Sequence, residues 1–270
     1  MDATDKLFSG SIPEIYDRLL VPLIFETYAD DLAVRVAQLK PQSVLETAAG
    51  TGVLTRALAA KLPARAHIVA TDLNQPMLDR AASRQPDDPR IEWRQADALK
   101  LPFEDRLFNV VTCQFGVMFF PDKNQGYREA RRVLKSGGRF LFNVWDQISK
   151  NEFAEVVTQA LATLFPQDPP CFLARTPYGY HNLQVIRDEL SAAGFASISI
   201  ETLDAVSRAS SARDAAIAYC QGTPLRNEIE ARDPAGLEEA THEAAGALAR
   251  RFGPGVIDAR IRAHVVTATC

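Results

Sequence analysis

Residues 44–62 read VLETAAGTGVLTRALAAKL. A short apolar run closes on Glu46, passes small residues with Gly50 and Gly52, and becomes an apolar helical stripe through Val53, Leu54, Ala57, Leu58 and Leu62. A strand-to-helix turn so bare of side chains lets a ligand approach backbone amides at a helix N-terminus. The next strand, HIVATD, closes on Asp72, whose ionised carboxylate suits a pair of donating hydroxyls. A dinucleotide would ask for G-x-G-x-x-G followed by an acid about twenty residues on. Gly50, Gly52 and Asp72 comply, but Thr55 stands at the third glycine position. A tight turn with no ligand would explain the glycines alone, and an exposed turn carboxylate would explain Asp72 alone.

The elements that must hold these residues alternate. Pro63 ends the first helix, HIVATD follows, and QPMLDRAASRQ is a helix with Pro76 in its first turn. IEWRQAD is a strand ending at Asp97, FNVVTCQFG another, NQGYREARRVL a helix, and SGGRFLFNVWD a fifth strand. Such alternation means parallel pairing with helices on both faces, a doubly wound α/β core. Beyond Trp145 come the helix NEFAEVVTQALATLF, the proline-rich PQDPPCFLARTPYGY, the helix LQVIRDELSAAGF and a sixth strand, SISIETL. The chain from Ser207 to about Gly255 reads as mostly helical, and IDARIRAHVVTA as a last strand. With no repeat, low-complexity tract or linker, the expectation is a single domain over 1–270. Within it, 1–40 is a helical cover, 41–146 the cofactor core, and 147–270 the remaining strands with cap helices, the main insertion at about 207–255.

Composition narrows the function classes. A chain of 270 residues, 47% hydrophobic and 24% charged, suits a soluble protein with one sizeable core. A net charge of -4 argues against nucleic acid, which calls for a basic face. MDATDKLFSG has no secretory pattern, and no apolar run approaches the roughly 20 residues that span a bilayer. A cytoplasmic location is therefore expected. Cys113, Cys171, Cys220 and Cys270 lie far apart without metal-type spacing, so reduced thiols and no metal site are expected.

Four stretches in order carry a resemblance over about residues 40–146. Glu46-x-Ala48-x-Gly50-x-Gly52 resembles motif I of the class I S-adenosylmethionine-dependent methyltransferases, and ATDLNQPML their second-strand motif. QADALKLPFEDRLFNVVTCQFGVMFFPD and EARRVLKSGGRFLFNVWD resemble the two that follow. The LPF arrangement at Leu101 to Val110 is similar to the ubiquinone/menaquinone-type small-molecule enzymes. The sequence departs from the pattern at Ala48 for the first glycine, Asn109 for an aspartate and Ser136 for a proline.

The resemblance implies a seven-stranded, mostly parallel, Rossmann-like sheet whose last strand is antiparallel. It implies S-adenosylmethionine as cofactor and S-adenosylhomocysteine as product. Glu46, Ala48, Gly50 and Gly52 would then bind the cofactor, with residues 48–52 facing its methionine and ribose portion, Asp72 the ribose diol, and Asp97 with the Ala98 amide the adenine. Leu73 and Met77 would flank the adenine, and Gln114 would lie near the methionine end. A helix cap is the plain alternative for Asp97, and core packing for Leu73 and Met77.

Ligands of an open α/β sheet bind at the carboxyl ends of its strands. In this topology three segments reach that edge: the N-terminal helical stretch, about 147–181, and about 207–255. Together they point to a lidded pocket for a small, rather apolar methyl acceptor. Tyr16, Tyr178 and His181 are its candidate residues. Methyl transfer to an already nucleophilic atom needs little base assistance, whereas a hydroxyl needs its proton removed. His181 is the best-placed base candidate, although an ordinary loop histidine explains it better; His67, His242 and His264 are weaker, and no catalytic base is named. Two other readings remain: a protein binding the cofactor or its product without transfer, and an NAD-linked oxidoreductase, disfavoured by Thr55, Asp97 and LKSGG. RNA or protein methylation is opposed by the acidic balance. Oxygen, nitrogen and carbon acceptors all fit, as does any oligomeric state.

Overall fold

The computed structural model describes residues 5, 8, 10–85 and 87–270. Seven strands form one sheet in the order β3-β2-β1-β4-β5-β7-β6: β1 (Ser43–Glu46), β2 (His67–Asp72), β3 (Ile91–Gln95), β4 (Phe108–Gln114), β5 (Leu134–Trp145), β6 (Ser197–Ala209) and β7 (Ile257–Thr269). Strands β1 to β5 pair in parallel. The Asp146 amide donates to the Arg262 carbonyl and the Cys270 amide to the Gly138 carbonyl, a register in which one strand advances as the other recedes. Strand β7 is therefore antiparallel, and the expected sheet is present.

The chain divides into two compact units. One comprises Glu26–Val144, His181–Leu203 and Ala263–Cys270; the other comprises the described residues up to Phe25, Trp145–Tyr180 and Asp204–Arg262. These divisions cross the sequence segments 41–146 and 147–270, because residues 181–203 and 263–270 return to the sheet.

The sheet unit builds its core from apolar spacing. Helix α2 (Glu26–Gln38) turns Ala29, Leu32, Ala33 and Val36 inward, and α3 (Val53–Lys61) adds Leu54 and Leu58. They pack on Val44, Ile68, Val110, Leu141 and Val265 from five strands. Aromatic packing joins β5 to α5 (Lys123–Val133), where Tyr127 stacks on Phe142 at 5.6 Å, and Phe140 stacks on Phe195 at 6.0 Å. Helix α5 also packs against α8 (Leu183–Ala192).

Asn109, the departure from aspartate, ties two strands at their starts. Its Oδ1 accepts from the Gln42 and Ser43 amides at 3.1 Å each and from the Ser43 hydroxyl at 3.0 Å. An amide oxygen supplies the same acceptor as a carboxylate, which accounts for the exchange. Asn109→Ala strands these donors and is expected to cost about 1–3 kcal/mol in urea unfolding. A cost near zero would mean that water replaces the tie.

In the other unit, α1 (Ile12–Ile15) leads into a π-helical stretch, Tyr16–Phe25, containing Pro22, which interrupts the α ladder. Helix α9 (Ala212–Cys220) packs on this stretch, and α11 (Leu237–Phe252) on both α9 and α6 (Glu152–Leu164). Strand β6 runs to Ala209, so the helical insertion starts at Ala212 and not at Ser207. Polar residues at the solvent-facing alternate positions of an edge strand hide its far half in the sequence. Ser207 itself is buried and donates to the Leu23 carbonyl at 2.7 Å.

Candidate cofactor and active site

The loop after β1 is clamped from both sides. The Thr47 amide donates to the Thr112 carbonyl and the Ala49 amide to the Thr71 carbonyl, each at 2.9 Å. The backbone turns left-handed between these clamps at Ala48 (φ 53) and beyond them at Gly50 (φ 57) and Gly52 (φ 78). At Gly52 a Cβ would fall 2.9 Å from Trp93 and 3.0 Å from Ala81, so glycine there also lets α3 sit against β3 and α4 (Gln75–Arg84). Ala48 accepts a conformation costing an L residue roughly 1–2 kcal/mol. Its methyl has room because residue 116 is glycine: a Cβ on Gly116 would lie 2.5 Å from the Ala48 Cβ and 2.6 Å from the Cys113 Sγ.

Asp72 ends β2 facing this loop. One carboxylate oxygen accepts the Gly50 amide and the other the Asn74 amide, both at 2.8 Å. Burial raises this carboxyl above the usual carboxylate range, opposed by the Asn74 and Gly50 hydrogen bonds. A carboxylate offers about four lone-pair sites, so lone pairs remain for a ligand diol. The Thr51 hydroxyl, buried in the loop, has no hydrogen-bond partner among the described residues.

Glu46 is buried at the end of β1, where the Thr55 hydroxyl donates to Oε2 at 2.6 Å. Burial pushes its carboxyl up to about 8, the Thr55 hydrogen bond and the Arg56 charge opposing. Unfolded, this glutamate releases its proton near 4.5; folded, it holds it to about 8. The folded chain binds the proton more tightly, so this contribution to stability is lost as pH rises from about 4.5 through about 8. Glu46→Gln, which cannot ionise and still accepts from Thr55, is expected to flatten the thermal midpoint over that window in cofactor-free protein. Asp72 acts in the same sense, so the flattening is partial. An unchanged profile would place the proton uptake elsewhere.

The remaining sequence candidates scatter. Asp97 is exposed beyond β3, where its Oδ1 accepts the Leu99 amide at 2.9 Å; Ala98 is half-buried beside it. Leu73 is 45% exposed and free to face a ligand, whereas Met77 is buried in α4. Gln114 is half-buried at the end of β4, in register with Asn143 of β5. His181 is half-buried and immediately precedes Asn182, which caps α8. In the other unit, aromatic centroids run from Tyr16 to Phe25 (5.3 Å), Phe25 to Trp145 (5.9 Å) and Trp145 to Tyr178 (5.7 Å). Sequence reasoning missed the Thr51 hydroxyl, the Glu46–Thr55 bond and Asn143, whose fully buried amide atoms have no partner among the described residues. The signal for Asn143 was a polar residue inside the apolar run RFLFNVW.

The ubiE/COQ5 methyltransferase family model matches residues 7–184, a span that contains this loop and Asp72. The chain belongs to this family. It is 32% identical over 179 residues to the demethylmenaquinone methyltransferase of Clavibacter sepedonicus, covering 63% of this chain and 72% of that one. It is 42% identical over 144 residues to the ubiquinone/menaquinone biosynthesis C-methyltransferase UbiE of Ectopseudomonas mendocina, covering 52% and 51%. The chain thus spans about half the length of several curated relatives it matches. Among solved structures, the YcgJ protein of Bacillus subtilis superposes with a TM-score of 0.57 at 18% identity, over 90% of this chain and 98% of that one, a likeness of fold.

The family is one of methyltransferases, whose cofactor is S-adenosylmethionine. The residues present fit it: Asp72 has acceptor sites for a diol, Thr51 an unused hydroxyl, and the loop left-handed turns at Ala48, Gly50 and Gly52. Among the described residues no helix is long and apolar enough to cross a membrane.

Proposed function

We propose that the chain is a cytoplasmic C-methyltransferase acting on a small, apolar, quinone-type ring in its reduced form. The row Tyr16–Phe25–Trp145–Tyr178 carries this reading, as a largely buried run of aromatic rings with a tyrosine at each end in a single unit. Flat apolar rings bind by offset or edge contacts with such faces. The activities for which the Clavibacter and Ectopseudomonas relatives are named support the same acceptor class.

Bound S-adenosylmethionine supplies an electrophilic methyl on a sulfonium centre. The chain's own part is to hold and align. Asp72 and the loop 48–52 fix the cofactor's ribose side, with Asp97 and Ala98 on its adenine side and Gln114 toward its methionine end. Aromatic rings are suited to orienting a flat acceptor and keeping water from it. An electron-rich hydroquinone carbon is already nucleophilic, so we assign no catalytic base, and His181 is left as a loop residue beside the α8 cap.

The test offers labelled S-adenosylmethionine with a short-chain naphthohydroquinone, a catechol and a primary amine. Methyl appearing on a ring carbon of the hydroquinone supports the reading. Methyl only on oxygen or nitrogen overturns the acceptor class. Tight cofactor binding with no product from any acceptor would instead favour a binder without transfer.

A further inference from the structure

At the starts of β4 and β5, opposite the strand ends that carry the cofactor loop, lies a cleft of about 610 Å³ within the sheet unit. Its lining includes Arg106, Arg128, Arg131, Arg132 and Lys135 against one acidic side chain, Asp105. This concentration stands out in a chain of net charge -4. Arg132 is spent within the fold: it pairs with Asp105 and Glu129, each at 2.8 Å, and donates to the Phe103 and Leu101 carbonyls. Arg106, Arg128, Arg131 and Lys135 have no carboxylate partner among the described residues.

Two features make this more than a basic surface. Arg131 is held in place: its Nε donates to the Gly194 carbonyl at 2.8 Å, and its guanidinium lies where a Cβ on Gly194 would meet it at 3.0–3.3 Å. Both Nη groups are left for a ligand, in the fork geometry that matches an oxyanion. Arg106 is likewise fixed, with a left-handed backbone (φ 57) and its amide donating to the Arg132 carbonyl at 2.9 Å. The C-terminal dipole of α5 accounts for Arg131 and Arg132, but not for Arg106 on the preceding loop or Lys135 on β5. Arg128 and Arg131, three apart on one helix, repel each other unless an anion lies between them. Ser136, which departs from the proline of the family pattern, adds a hydroxyl to the same lining.

We propose that this cleft binds a small molecule through its phosphate or diphosphate group. A concave site lined by one sign of charge focuses its field on such a ligand.

The test titrates the full chain with inorganic pyrophosphate by calorimetry, at constant ionic strength. One saturable site is expected, weakened at least about tenfold in Arg131→Gln and in Arg128→Gln. The exposed Arg128 side chain makes no hydrogen bond or ion pair among the described residues, so the second variant separates ligand loss from misfolding. Arg208→Gln, in the other unit, should leave binding intact. Methyl transfer without added phosphate should be unchanged in Arg128→Gln. No saturation at millimolar pyrophosphate overturns the proposal, as does saturation indifferent to both cleft variants. Vesicles containing phosphatidylglycerol form the second arm. Their capture of the chain, without saturable pyrophosphate binding, would make this face a membrane contact and also overturn it.

Discussion

Replacing Asp72 by alanine is expected to weaken S-adenosylmethionine and S-adenosylhomocysteine binding at least about a hundredfold, since hydrogen bonds to a charged group contribute about 1.5–3 kcal/mol each and two to the diol are lost. The effect extends beyond the ligand. The Gly50 and Asn74 amides both donate to this carboxylate, so its removal leaves two donors without acceptors at the turn that shapes the site. Asp72→Asn keeps one oxygen and is expected to lose less. Asp97→Ala should cost little by comparison, because that exposed side chain serves its own turn. Calorimetric titration with both cofactor forms, and with NADH as a control, reads all three. An affinity unchanged in Asp72→Ala would mean that the diol is held by another group.

Gly116→Ala is expected to destabilise the protein by about 3 kcal/mol, the upper range for overpacking, measured by urea unfolding. The added methyl would land 2.5 Å from the Ala48 Cβ and 2.6 Å from the Cys113 Sγ, both on anchored backbone. Ala48→Gly alone should change stability little. It releases roughly 1–2 kcal/mol of left-handed strain but adds about 0.5–1 kcal/mol of unfolded-chain entropy. Combining the two should recover part of the Gly116→Ala loss, leaving the Cys113 contact unrelieved. Strict additivity would show that Ala48 and Gly116 are energetically independent and would undo the fitted-pair account.

The periodicity of the chain made the sheet legible, because buried parallel strands show as apolar runs such as HIVATD and FNVVTC between helical stripes. Loop 48–52 and Asp72 were legible because glycine and a strand-end acid have local meanings. What escaped depended on contacts distant in sequence. Nothing around Ala48 announces that its partner is Gly116, and nothing around Thr55 announces that its hydroxyl holds Glu46. Asn109 reads as a departure until its oxygen is seen accepting from Gln42 and Ser43. The far half of β6 escaped because an edge strand alternates polar and apolar residues too loosely to be told from a loop. The tyrosines expected to share a pocket split differently from His181: Tyr16 and Tyr178 join one aromatic row, whereas His181 belongs to the sheet unit.

The chain passes between its two units at Phe25, Val144, Tyr180, Leu203 and Arg262. Neither unit is one stretch of sequence, and each includes part of β7. On the ribosome the cofactor loop, β2 and Asp72 emerge early, yet neither unit is complete until residues 257–269 have been made. Domains usually fold as units once they have been released, and here both units share β7. Translation must run through the last strand before either unit is complete, which makes β7 the timing element of biosynthesis.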